Sequence, residues 1–203
     1  MKDLTIKGFP GIILENGEAA YGGSQDWFSG KWMRLAGCGS VAAANLAAYY
    51  GIGTRPDIRG QGRPVYSQAA YVELMGKMFS IMRPGMMGFP YAGRFRKRFA
   101  AYSAENGVCL KSKLLYSWDR ADEAVSLVES SLRRQDPVAL LLLKHREPAF
   151  DENTWHWMTI TGYSPDTDRV MISNYGNKET MKASLLFEPA DGNVARLISF
   201  HRI

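Results

Sequence analysis

The chain of 203 residues is long enough to bury a hydrophobic core, and its composition, 46% hydrophobic and 22% charged, is that of an ordinary globular domain. Its formal net charge of +5 is too modest to indicate a nucleic-acid partner, and we expect none. Residues 1–7 lack the apolar stretch of a signal peptide, and the longest apolar run, Val138–Leu143, is too short to span a membrane. We therefore expect a cytoplasmic chain whose two cysteines, Cys38 and Cys109, are reduced.

The first half of the chain predicts helices after an irregular start. Residues 1–36 are interrupted by Gly and Pro, and the loop at 22–32 carries Trp27, Phe28 and Trp32, which we expect to cover the core or line a groove. Apolar residues then recur at three- and four-residue spacing, as in amphipathic helices. The predicted elements are short strands at 5–7 and 11–14 and helices behind Cys38, at 68–82 (capped by Ser67) and at 92–106.

The second half of the chain predicts mostly strands. In order, these elements are a strand at 108–116, a helix at 120–135, a strand at 138–144, a hairpin of 155–163 with 169–175, and strands at 178–187 and 194–203. The predicted fold is α+β: a helical lobe at about 20–107 followed by a mostly antiparallel β lobe at about 108–203, within one domain over 1–203.

Cys38 lies where a loop meets the first turn of a predicted helix. The stretch 37–40 reads Gly-Cys-Gly-Ser, and the Ala-rich run behind it ends at Gly51, a residue suited to a left-handed C-cap. The partial positive charge of a helix N-terminus stabilises a thiolate, and we expect the flanking glycines to leave the sulfur open. Cys38 is therefore either a nucleophile or a buried structural cysteine. Cys109, in an alternating strand, is predicted to lie in the core.

A thiol nucleophile needs a base beside it. Of the three histidines, His145 falls in a charged loop and is predicted to be solvated, and His201 lies near the last residue of the sequence. His156 begins one strand of the predicted hairpin, and Asn174 ends the other. Antiparallel neighbours bring these positions together, so the Asn oxygen can accept from one imidazole nitrogen and leave the other for the thiol.

Four features, in this order, resemble the papain-like cysteine peptidase superfamily and its small bacterial branch related to bacteriocin leader peptidases. They are Gln25, the Gly37–Gly39 opening of an Ala-rich helix, the strand His156–Tyr163, and Asn174 at the end of the next strand. The resemblance implies that Cys38 is the nucleophile, that His156 is the general base and acid, and that Asn174 orients His156. It also implies an oxyanion hole formed by the Gln25 side chain and the Cys38 backbone N–H.

Two positions depart from the family pattern. Gln25 lies 13 positions before Cys38, a longer interval than such enzymes usually have. Leader-peptidase relatives usually carry Asp where this chain has Asn174, which is the papain choice. Asn177 and Asp166 remain alternative orienting groups for the histidine.

The resemblance implies hydrolysis of a peptide or amide bond through a Cys-His-Asn triad and a covalent acyl-enzyme. No cofactor or metal is expected, because the sequence has no CxxC motif or clustered His and Cys spacing. The alternative is a catalytically silent binding module with a papain-like fold. Its contact surface would be the basic segment 94–99, although Phe95 and Phe99 at four-residue spacing also fit an ordinary amphipathic helix.

Overall fold

The computed structural model describes residues 2–58 and 62–203. Within them, the strands are β1 (Leu4–Thr5), β2 (Gly11–Ile13), β3 (Ala19–Tyr21), β4 (Val65–Ser67), β5 (Leu110–Leu115), β6 (Val138–Lys144), β7 (His156–Ser164), β8 (Arg169–Asn174), β9 (Asn177–Lys182) and β10 (Val194–Arg202). The helices are α1 (Lys31–Ala36), α2 (Cys38–Tyr50), α3 (Gln68–Met82), α4 (Ala92–Glu105), α5 (Ala121–Arg133) and α6 (Ala183–Leu186), with 3₁₀ helices at Gln25–Trp27 and Pro148–Asn153.

A seven-stranded antiparallel sheet carries the second half of the chain. Its strand order is β5-β10-β6-β7-β8-β9, and β1 adds beside β7. The predicted hairpin of β7 and β8 is present, and so is the buried strand β6. This arrangement confirms the α+β class with a mostly antiparallel sheet.

Both faces of this sheet are covered, because alternate residues of β6 belong to different cores. Val138, Leu140 and Leu142 pack on the side of α5, whereas Ala139 and Leu141 pack on the side of α2, α3 and α4. Such alternation is the period of an extended strand with a helical layer on each face. Helix α2 therefore lies inside the molecule, with helices on one side and the sheet on the other.

Helix α2 is buried around its whole circumference, which its composition allows. Residues 38–48 are all buried, and the many alanines let neighbouring backbones approach closely. Gly51 ends the helix in the left-handed conformation at φ 66°, with its N–H bonded to the last-turn carbonyls. Helix α2 packs against β7 and α3, and its first residue, Cys38, lines the same pocket as His156 at the beginning of β7.

The first third of the chain is more regular than its sequence predicts. The expected strand at 11–14 is present as β2, but β3 and β4 flank it in a small sheet, and β4 is parallel to β2. The stretch predicted as an irregular loop contains the 3₁₀ helix Gln25–Trp27 and helix α1. In the second half, the predicted strand 178–187 is wrong after Lys182, where the short helix α6 begins.

Two predictions about side-chain exposure are wrong. Cys109 is exposed. Strand β5 begins one residue after it, at Leu110, and in the alternation of this strand Leu110 is the residue that points inward. His145 is buried against the ring of Phe150, at 4.3 Å between centroids, and its Nε2 lies 3.1 Å from the carbonyl oxygen of Leu185. The charged neighbours of His145 thus misled the prediction, since a single inward side chain can be buried in a charged segment.

Candidate active site

The structure brings the four residues singled out from the sequence to one pocket. Cys38, His156, Asn174 and Gln25 all line it. Cys38 comes from the first turn of α2, His156 from the beginning of β7 and Asn174 from the end of β8. The pocket therefore lies where the helical layer meets the sheet.

The hydrogen bonds of Asn174 define the orientation of its amide group. Its Nδ2 donates to Asn153 Oδ1 at 2.9 Å and faces both carboxylate oxygens of Glu179, at 3.2 and 3.4 Å. A carboxylate can only accept, so the amide nitrogen must point toward Glu179. The amide oxygen consequently points toward His156.

His156 has a defined tautomer as a result. Its Nε2 lies 2.8 Å from Asn174 Oδ1, and because that oxygen can only accept, Nε2 carries the proton. In the neutral ring, Nδ1 then holds the free lone pair. The arrangement leaves a basic nitrogen in the pocket that Cys38 lines.

The ring of Tyr175 covers His156. The two rings are stacked at 4.6 Å between centroids with an interplanar angle of 7°. Tyr175 and Gly176 form the two-residue turn between β8 and β9, at φ 46° and φ 78°. Positive φ at both positions is the geometry of a type I′ hairpin turn, in which Tyr is an unusual choice. Tyr175 is not among the predicted site residues, although the Tyr-Gly pair after a strand is a sequence signal for this turn.

Burial dominates the electrostatics of the pocket. It raises the pKa of the Cys38 thiol, against the effect of hydrogen bonds from the backbone at Trp157 and Gly39. Burial also lowers the pKa of His156 to about 4, although the bond to Asn174 and the charge of Asp26 favour the imidazolium. At neutral pH the resting pair is therefore a thiol and a neutral imidazole. Desolvation therefore opposes the stabilisation of a thiolate that the helix N-terminus is expected to provide.

The glycines beside Cys38 allow aromatic side chains to pack closely around it, and they do not expose the sulfur. Cys38 is only 7% exposed, contrary to the expectation from the sequence. A Cβ on Gly37 would lie 2.7 Å from the ring of Phe28, and one on Gly39 would lie 3.2 Å from the ring of Trp157. Side chains at these positions would therefore displace the surroundings of the thiol.

Gln25 lines the pocket, but one of its amide protons is already used. Its Nε2 donates to the carbonyl oxygen of Arg34 at 2.6 Å, while Oε1 is buried without a hydrogen-bond partner among residues 2–58 and 62–203. Arg34 also holds the preceding loop, because its guanidinium donates to the carbonyls of Phe28 and Ser29. The second N–H of the Gln25 amide is thus the donor that an oxyanion hole would use.

A buried polar network anchors the loop before Gln25. Asn45 Oδ1, on α2, accepts from the Gly23 N–H at 3.0 Å and from the Tyr71 hydroxyl at 2.7 Å. Asn45 Nδ2 donates to the hydroxyls of Thr159 and Ser173, both at 3.3 Å. One side chain thus joins the loop, two helices and two strands behind the pocket.

The alternative orienting groups lie elsewhere. Asp166 is in the turn at the opposite end of β7 from His156, and the exposed Asn177 donates to the carbonyl of Tyr175. Over the part of the chain that the structure describes, no three His, Cys, Asp or Glu side chains cluster so as to hold a metal ion. No helix there is both long and apolar enough to cross a membrane.

The comparisons with known proteins concern the fold. No protein-family model and no curated protein matches the sequence. Among solved structures, UfSP from C. elegans aligns over 100% of this chain with a TM-score of 0.50 and 12% sequence identity. The chain spans about a third of the length of that protein, 34%. Together with the antiparallel sheet and the helix that carries Cys38, this likeness shows a papain-like α+β fold.

Proposed function

We propose that this chain is a thiol-dependent hydrolase that cleaves a peptide or amide bond through Cys38, His156 and Asn174. The single observation that carries the proposal is the bond of 2.8 Å between His156 Nε2 and Asn174 Oδ1, in a pocket shared with a cysteine at a helix N-terminus. This bond leaves Nδ1 of His156 free to act as a base in the pocket that Cys38 also lines. Cysteine-dependent acyl transfer requires such a base beside the thiol.

The chemistry begins from a neutral pair. His156 Nδ1 takes the proton of Cys38 Sγ as the sulfur attacks the substrate carbonyl, and the new imidazolium is stabilised by Asn174 and by the charge of Asp26. The resulting oxyanion accepts hydrogen bonds from the Gln25 amide and the Cys38 N–H.

His156 then returns the proton to the leaving amine, the C–N bond breaks, and an acyl-enzyme remains on Cys38. Water attacks this thioester while His156 again removes a proton, so that the carboxylic acid is released and the thiol is regenerated. Proton transfer of this kind contributes about 10²–10⁴-fold to such reactions.

The structural neighbour is consistent with this proposal. UfSP is a cysteine protease of the papain-like fold. At 12% identity that likeness supports the fold, and the activity is argued from the pocket. We further propose, from the order Gln25, Cys38, His156 and Asn174, that the chain belongs with the small leader-processing peptidases.

The experiment that tests the proposal is the pH profile of Cys38 alkylation by iodoacetamide, followed by mass spectrometry. The full chain carries Cys109→Ala, because the exposed Cys109 would react as well. With His156 at a pKa of about 4 and a raised thiol pKa, the pair holds one proton across the whole range between them. We expect a rate that rises near pH 4 and is then flat through neutral pH.

The control is His156→Ala in the same background. Without the base, the rate should rise about tenfold with each pH unit until the thiol ionises, and at pH 7 it should be lower by about 10²-fold. Identical profiles for the two proteins, or a Cys38 that does not react in the folded chain, would contradict the proposal. The catalytically silent binding module would then be the better description.

A further inference from the structure

A basic groove opens beside the candidate active site. One wall is the first two turns of α4, and the other is the face of the large sheet that carries Leu114 of β5 and Leu143 of β6. The groove contains about 1100 Å³ of empty space, open to solvent. The charged and aromatic side chains that define it are Tyr91, Arg94, Arg96, Lys97, Tyr116 and Arg196.

The charge of the groove is uncompensated. No Asp or Glu is among its lining residues, and in the part of the chain that the structure describes none of its four cations forms an ion pair. Burial lowers the pKa of Arg196, as expected for a guanidinium that is partly removed from water without a carboxylate beside it. A concentration of unpaired cations in one concave surface favours an anionic ligand.

Two of the cations are held in place by tyrosine rings. The guanidinium of Arg94 lies 4.5 Å from the ring centroid of Tyr91, and that of Arg196 lies 5.6 Å from the ring centroid of Tyr116. Each ring therefore presents one face to a cation and is less available to stack on a nucleic-acid base. The guanidinium groups are partly immobilised, which reduces the entropy lost when they bind a carboxylate.

Aromatic side chains connect the pocket of Cys38 with the helix that lines the groove. Trp157 follows His156 in β7 and lines the pocket, and its ring stacks at 4.4 Å on Phe95, the residue between Arg94 and Arg96. The Nε1–H of Trp157 also donates, at 2.7 Å, to the carbonyl of Phe89 in the segment that leads to the groove. These two contacts join the wall of the pocket to the helix and the segment that line the groove.

From this geometry we propose that the basic groove binds an acidic segment of the polypeptide substrate, next to the bond that Cys38 cleaves. The inference rests on the proposed hydrolase function. A polypeptide is favoured over a nucleic acid because the groove adjoins a candidate peptidase site and because a cation occupies one face of each tyrosine ring. The net charge of the chain is also modest, +5, whereas nucleic-acid-binding domains are commonly strongly basic.

The test measures binding by fluorescence anisotropy with the full chain carrying Cys38→Ala, so that no turnover occurs. The probes are a short fluorescein-labelled peptide of alternating Glu and Ala, the same peptide with Gln for Glu, and a labelled oligothymidylate. The groove variant is Arg94→Gln/Arg96→Gln/Lys97→Gln, which changes only side chains on α4. A variant on distant surfaces, Lys7→Gln/Arg133→Gln/Arg169→Gln, removes the same charge.

We expect the acidic peptide to bind at least about tenfold more tightly than the Gln peptide, and the groove variant to lose about tenfold or more of this affinity. The variant on distant surfaces should bind like the parent protein. Arg196→Gln, on the opposite wall, should weaken binding as well and serves as a second variant if the triple change disturbs α4.

Equal loss in the groove variant and the distant variant would overturn the proposal, because it would show a general effect of charge. Tighter binding of the oligothymidylate than of the acidic peptide would also overturn it and would indicate a nucleic-acid site. The two proposals fail separately: an acidic peptide that binds beside an unreactive Cys38 contradicts the hydrolase, whereas a His156-dependent Cys38 without peptide binding contradicts the groove.

Discussion

At the scale of single residues, the protonation of His156 depends on a chain of contacts that extends two residues beyond it. Glu179 accepts from the amide nitrogen of Asn174, so the amide oxygen faces the imidazole and its Nε2 must carry the proton. Only Nδ1 is then free to act as a base. A carboxylate on the far side of an amide can thus select a histidine tautomer without touching the histidine.

The buried His156 should make the fold sensitive to acid. In the unfolded chain its pKa is near the ordinary 6.5, but in the folded chain burial lowers it to about 4. Between these pH values only the unfolded state takes up the proton, so stability falls as the pH drops from 6.5 to 4. The loss from this group should reach about 3 kcal/mol.

The measurement is urea unfolding at pH 7 and pH 4, with His156→Gln as the comparison. The wild-type chain should lose about 3 kcal/mol more of its unfolding free energy between these pH values than the variant does. Equal losses in the two proteins would mean that burial does not lower the pKa of His156 in the folded chain.

The sequence was sufficient for some residues of the pocket and not for others. His156 and Asn174 could be paired because a short hairpin determines which residues of its strands are neighbours. Glu179 and Asn153 could not be assigned, since their contacts with Asn174 depend on the packing of a third strand and a separate loop. The predicted burial of Cys109 is wrong because an error of one residue in the position of a strand assigns each of its side chains to the opposite face.

At the scale of elements, the turn between β8 and β9 holds its tyrosine in an unfavourable conformation. The left-handed region costs about 1–2 kcal/mol for most residues, whereas Asn visits it readily. Tyr175 occupies it at φ 46° and stacks on His156. The stack thus accompanies local strain in the backbone, a combination that is frequent at functional sites.

Two substitutions of Tyr175 should separate the turn from the stack. Tyr175→Asn and Tyr175→Ala both remove the ring, but Asn should be more stable by about 1 kcal/mol because it tolerates the left-handed region. Both variants should lower the alkylation rate of Cys38 at neutral pH by a similar factor. Thermal unfolding and iodoacetamide kinetics measure the two effects, and unchanged kinetics in both variants would show that the stack has no part in reactivity.

The first turn of α2 should not accept a methyl group. In Gly39→Ala the new Cβ would lie 3.2–3.3 Å from the side chains of Trp157 and Phe89. Such overpacking costs about 1–3 kcal/mol, more than the helix propensity of Ala returns.

The matched control is Gly76→Ala in α3, where a Cβ would have no atom within 4 Å. It should stabilise the chain by up to about 1 kcal/mol, because Ala is the better helix former. Urea unfolding compares the two variants. Equal stability of the Gly39→Ala and Gly76→Ala proteins would mean that the side chains of Trp157 and Phe89 move aside at little energetic cost.

Helices and strands could be predicted from the sequence where the residues that determine them are close together in the chain. Helix α3 has the predicted bounds 68–82 and its Ser67 cap, since both periodicity and capping are properties of a short segment. Strands β3 and β4 were not predicted because three-residue strands exist only through pairing with β2, which is distant in sequence from β4. The change from β9 to α6 at Lys182 likewise has no strong sequence signal.

At the scale of the whole molecule, Asn45 joins the helical layer to the sheet. It is 2% exposed, and all its hydrogen-bonding groups are used, by Gly23, Tyr71, Thr159 and Ser173. Removing one member of a satisfied buried network leaves the others without partners.

Asn45→Ala should therefore lower the unfolding free energy by about 3 kcal/mol or more, because several buried polar groups lose a partner at once. It should also slow Cys38 alkylation, since the loop that leads to Gln25 loses its anchor. Asn16→Ala, in an exposed turn, is the comparison and should cost less than about 1 kcal/mol. Equal costs for the two variants would show that water replaces the lost bonds.

The strand order has a consequence for the timing of synthesis. Strand β10 pairs between β5 and β6, so the sheet that carries His156 and Asn174 keeps an open edge at β6 until residues 194–202 have left the ribosome. Cys38 is made before His156, and the strand that completes the sheet follows both of them in the sequence. A nascent chain therefore carries Cys38 before His156 has been made, and the sheet that carries His156 gains its full set of neighbouring strands only when β10 inserts between β5 and β6.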